Sequence, residues 1–91
     1  MPYKIVYLAM NRKFSLEVTQ FFSDPDGDLL SYSLPKTSDQ SEIAWYNIFF
    51  ENNKFGGRPT MKGTIGLVTV RATDPHGFFA EIHLTIKIED Y

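Results

Sequence analysis

Two stretches in the carboxyl-terminal third constrain this chain most. In Leu67–Thr73, the residues Val68, Val70 and Ala72 alternate with Thr69, Arg71 and Thr73. In Glu81–Ile88, Ile82, Leu84, Ile86 and Ile88 alternate with Glu81, His83, Thr85 and Lys87. A period of two places one set of side chains on a single face of an extended strand, and β-branched residues suit that geometry. Between the runs lies Asp74-Pro75-His76-Gly77, where proline presets φ and glycine tolerates positive φ. The segment is predicted to be an antiparallel hairpin with a polar, exposed tip.

The same signal recurs upstream. Lys4–Leu8 reads as a short strand, and a polar turn around Asn11-Arg12-Lys13 leads to Phe14–Thr19, where Phe14, Leu16 and Val18 alternate with Ser15, Glu17 and Thr19. Ser23-Asp24-Pro25-Asp26-Gly27-Asp28 is dense in turn formers, and Leu30–Leu34 alternates again. Pro35–Glu42 reads as polar loop, Trp45–Phe50 as strand, Asn52-Asn53-Lys54 as a turn, and Phe55–Pro59 as the start of a connection to Gly66. No segment shows a 3.6-residue period over three turns. About seven short strands at roughly 8–12-residue spacing predict an all-β, immunoglobulin-like sandwich.

Size and composition narrow the function classes. In ninety-one residues a second hydrophobic core would leave each half too small to offset chain entropy, so residues 1–91 are expected to form one domain. An apolar fraction of 43% with 22% charged residues is globular composition. The net charge of −2, with its nine basic residues scattered along the sequence, argues against nucleic acid and anionic membranes. No apolar run approaches the roughly 20 residues that span a bilayer, so membrane insertion of this segment is not expected. The absence of cysteine excludes disulfides and thiolate chemistry.

One acidic cluster stands out. Asp24, Asp26 and Asp28 fall within five positions, and carboxylates held so close repel one another unless a cation joins them. In a sandwich where Phe14–Val18 and Leu30–Leu34 are the second and third strands, this loop emerges at the same end as the hairpin turn carrying Asp74. Four carboxylates at one tip suit Ca2+, a hard cation that takes six to eight oxygen ligands. Asp-Pro-Asp-Gly is also what a solvated turn selects, with its aspartates capping neighbouring amides. It is not an EF-hand, because Gly27 comes too early and Pro35 occupies the place of the bidentate glutamate.

The ordered set Phe22-Ser23-Asp24-Pro25-Asp26-Gly27-Asp28, a Leu-Ser-Tyr strand, Trp45, Phe55-Gly56-Gly57-Arg58-Pro59 and Val70-Arg71-Ala72-Thr73-Asp74-Pro75-His76-Gly77 resembles the dystroglycan-type cadherin-like domain over about residues 12 to 90. The resemblance departs at Tyr46, where the family carries leucine after its tryptophan, and at Gly56, where a small hydroxyl residue is common. It implies calcium ligands among Asp24, Asp26, Asp28 and Asp74. It also implies an extracellular or cell-surface, membrane-associated parent protein, its signal and anchor outside this segment, acting in cell adhesion or as a calcium-stiffened repeat. The partners it implies are adjacent domains of the same chain, with Glu89-Asp90 serving the next one. The Asp-Arg-Glu motif of true cadherin repeats is missing, so their full interdomain ion set is not expected.

The alternative is a recognition module that binds carbohydrate or protein through exposed aromatics or an open sheet edge. Trp45 itself is expected in the core. Tyr46, Phe49, Phe50, Phe78 and Phe79 are too many for one small core, which leaves some for a partner. His76 and His83 lack zinc-site spacing and read as exposed. Arg58 and Lys62 with Lys54 read as a solvated patch. Ser23, His76 and Asp74 form a triad in name only, and the chain is expected not to be an enzyme.

Overall fold

The computed structural model describes residues 3–22 and 29–90. Its elements run β1 (Tyr3–Ala9), β2 (Phe14–Glu17), a 3-10 helix (Val18–Phe21), β3 (Ser31–Ser33), α1 (Thr37–Trp45), β4 (Ile48–Glu51), β5 (Lys54–Gly57), β6 (Gly63–Thr73) and β7 (Phe79–Glu89). The strands form two sheets, ordered β1-β7-β6-β3 and β2-β5-β4. All pairings are antiparallel except β1 with β7, which run in the same direction from Tyr3↔His83 to Ala9↔Glu89. The predicted all-β sandwich of about seven strands is the fold observed, elongated to 41 × 22 × 22 Å.

β6 and β7 form the long hairpin expected from their alternation, with one irregularity that the sequence pattern hides. Ile65 pairs with Ile86 and Val68 with Leu84, so β6 carries one extra residue between them, and Leu67 takes φ 46° there. Without that bulge, Ile65 and the even-numbered Val68, Val70 and Ala72 would face opposite sides. With it, all four are buried against Ile82, Leu84, Ile86 and Ile88. β4 and β5 are joined by Asn52-Asn53, both at positive φ, the two-residue turn whose twist matches antiparallel strands. The core between the sheets also takes Leu8, Val18, Leu34, Ile48 and Phe55.

Three expectations fail in the middle of the chain. Pro35–Glu42 is not all loop, because residues 37–45 form α1. A nine-residue helix that buries one large apolar side chain, Ile43, has no stripe for a periodicity argument to find. Trp45 is not in the core. It stands at the end of α1 with 75% of its surface exposed. The Phe55–Pro59 stretch contains β5, the central strand of the three-stranded sheet.

A buried carboxylate holds α1 in place. β3 pairs with β6 only at Arg71–Thr73, and where that pairing stops the N–H of Thr69 donates instead to Asp39 Oδ2 at 3.0 Å. Asp39 and Thr69 are both buried. Asp39→Ala leaves that amide unpaired in the interior and is expected to destabilise the fold by about 2 kcal/mol in urea unfolding. Asp39→Asn keeps an acceptor oxygen and should recover most of the loss. A change within experimental error for the alanine variant would show that α1 does not depend on this bond.

Candidate functional site

The β6–β7 turn is built around Asp74. Its Oδ1 accepts the backbone N–H of His76 at 2.9 Å and of Phe78 at 3.0 Å. The Asp74 N–H donates to the Phe78 carbonyl at 2.9 Å, and the Gly77 N–H donates to the Asp74 carbonyl at 3.2 Å, with Gly77 at φ 90°. This is an aspartate-capped turn, in which the carboxylate stands in for a backbone acceptor. Since Oδ1 holds two amides, ligation of a cation by Asp74 falls to Oδ2, in monodentate fashion.

Register places the described residues that follow the acidic stretch beside this turn. Ser31 pairs with Thr73, one residue before Asp74, and Tyr32 pairs with Ala72. On the other side of the acidic stretch, the ring of Phe22 packs on Tyr32 with centroids 5.7 Å apart. The chain thus enters residues 23–28 from Phe22 and leaves them through Leu29 at the same end of the sandwich. Asp24, Asp26 and Asp28 themselves lie outside the described residues. Among the described residues no three His, Cys, Asp or Glu side chains come together, so a cation site at this tip requires those aspartates.

The nearest cation on the sheet below is already engaged. Arg71 pairs with Glu81 through Nη2 at 2.8 Å and Nε at 2.9 Å, and its guanidinium lies 4.1 Å from the Phe79 ring centroid. Leu29 and Phe78 stand exposed beside the tip. The position of Leu29 next to a turn-forming stretch was its only signal in the sequence. His76 is exposed as expected, its backbone N–H given to Asp74. His83 is not. It is half-buried, with Nδ1 3.0 Å from the Thr69 hydroxyl and its ring 5.4 Å from that of Tyr3.

The strand order and the crossing of the chain between sheets define an immunoglobulin-like β-sandwich with the Asp74 turn at one tip. No protein-family model matches the chain, and no curated protein matches it. Among solved structures it is similar to a nucleoside hydrolase-related hypothetical protein from Saccharophagus degradans, described as associated with carbohydrate metabolism. The TM-score is 0.55 at 19% identity, over 96% of this chain and 22% of that one. The chain therefore spans about a fifth of that protein's length, and the likeness is one of fold.

Proposed function

We propose that this chain is a calcium-binding, cadherin-like module of a larger cell-surface or secreted protein, without catalytic activity, in which the ion stiffens the loop tip and its junction with an adjacent domain. The observation that carries this reading is the register Ser31↔Thr73 together with the Phe22–Tyr32 contact. These set Phe22 and Ser31, the described residues on either side of 23–28, at the end of the sandwich that carries Asp74, whose carboxylate is anchored by the turn. Ca2+ would neutralise the crowded carboxylates and crosslink two loops of distant sequence. A recognition role through exposed aromatics is the second reading, favoured by the exposure of Trp45 and Phe49 at 75% and 50%.

The two roles of Asp74 are separable by one substitution. Asp74→Asn keeps Oδ1 as the turn acceptor and removes the charge. In EDTA its thermal midpoint should match the parent within about 0.5 kcal/mol of stability. With calcium at about 100 times Kd, the parent should gain about 2.7 kcal/mol by linkage, and Asp74→Asn and Asp24→Asn should lose most of that gain. Amide shifts should cluster at residues 22–32 and 73–79. No response at several millimolar calcium, the weak end of extracellular sites (about 10⁻³ M), would refute the assignment and favour recognition.

A further inference from the structure

At the end of the sandwich opposite Asp74, strand pairing gathers charges that are far apart in the sequence. Phe14 and Ile48 both pair with Gly57, one from each side. Carried one residue further, that register sets Lys13 and Asn47 on either side of Arg58. These residues, with Phe14 and Gly57, line an open hollow of about 380 Å³ that contains two cations and no acid. Two like charges directly opposite at the end of an antiparallel pair repel, and neither Lys13 nor Arg58 has an ion-pair partner among the described residues. Arg12, Lys62 and Lys87 belong to the same end, the last two lining a neighbouring hollow with Glu89 and Asp90, so five of the nine basic side chains stand there beside two acids. The scatter seen along the sequence is not the arrangement in space. Lys54, grouped with Arg58 by sequence, begins β5 at its far end, across from Glu17 and Glu51.

The hollow is held from beneath. Arg58 Nε–H donates to the Asn11 carbonyl at 2.9 Å, which fixes the guanidinium and leaves its Nη groups without a partner among the described residues. The Arg58 N–H donates to the Asn47 carbonyl at 3.2 Å, and Asn47 Nδ2 donates to the Arg58 carbonyl at 2.9 Å, so Asn47 keeps Oδ1 as an acceptor. A planar guanidinium fork beside an ammonium matches a carboxylate, and Asn47 in the same hollow adds an acceptor for a hydroxyl.

We propose that this end binds a hydroxylated carboxylate, the chemistry of a sugar acid, with Arg58 and Lys13 on the carboxylate and Asn47 Oδ1 accepting from a hydroxyl. The site lies at the far end from Asp74 and stands independently of the calcium reading. The test is titration of the protein with trigalacturonic acid in EDTA, followed by backbone amide shifts. Saturable shifts at residues 12–14, 47–49 and 56–59 are expected, absent with the neutral methyl ester of the same trisaccharide. Lys13→Gln, at an exposed position with no structural bond, and Arg58→Lys, which keeps the charge and loses the fork, should each weaken binding about tenfold. Equal binding of the methyl ester, equal shifts with inorganic phosphate, unchanged affinity in Lys13→Gln, or no shift at millimolar ligand would each overturn the proposal.

Discussion

Phe55→Ala is expected to cost about 4 kcal/mol of stability, a shift of roughly 20 °C in the thermal midpoint of a chain this size. Phe55 sits on the central strand of the three-stranded sheet with no exposed surface. It lies across from Leu16 on one side and Phe50 on the other, its ring 5.0 Å from that of Phe50. Truncation removes the largest fully buried side chain of the core and leaves a void that two short flanking strands cannot close. Phe49, one position before Phe50 and half exposed, serves as the control, and Phe49→Ala should stay within about 1 kcal/mol. Urea unfolding of the three proteins checks this. A Phe55→Ala cost as small as that of Phe49→Ala would mean that the sheets do not pack as described.

Gly57→Ala should destabilise by roughly 3–5 kcal/mol, or fail to give folded protein, because two separate penalties combine. Gly57 has φ 123°, which side-chain-bearing residues rarely adopt. A Cβ placed there would also run into the Asn47 carbonyl oxygen, a backbone atom that cannot swing aside. Moving it would break the Arg58 N–H bond to the same oxygen. Gly66, beside the β6 bulge, offers the opposite case. Nothing lies within 4 Å of a Cβ added there and its φ is outside the positive range, so Gly66→Ala should be neutral or stabilise by about 0.5 kcal/mol. Thermal melts of the two variants should therefore move by very different amounts. A mild Gly57→Ala would refute the close approach of β4 and β5 at this end.

Legibility differs element by element, and for physical reasons. The β6–β7 hairpin is readable because alternation, β-branching and the Asp-Pro-His-Gly turn are local properties that agree. Its bulge lies just before the alternating run from Val68, where a lone Gly66 is the one local signal and the left-handed Leu67 has none. β5 is hidden by Gly56-Gly57, poor strand formers that become a strand because β2 and β4 flank them on both sides. α1 is hidden because its fit rests on Ile43 and on a buried bond from Asp39, a residue type that reads as surface. Trp45 follows from that error, since a tryptophan on a strand would face the core and one at the end of α1 does not.

For the sites, topology does the work that motifs cannot. Convergence of the 23–28 stretch on Asp74 is an expectation from the sandwich order alone, and the structure sets Ser31, just beyond that stretch, opposite Thr73. The structural duty of Asp74 Oδ1 and the Lys13–Arg58 juxtaposition do not follow from it. What the sequence by itself determined is the set of elements whose geometry is encoded by neighbours: the alternating strands, the Asn52-Asn53 and Asp74–Gly77 turns, and hence the fold class. Tertiary structure alone decided which distant residues became neighbours. Burial of apolar surface is non-directional, so the partner of a strand is chosen by packing of the whole core, and the charges at its ends are carried along with it.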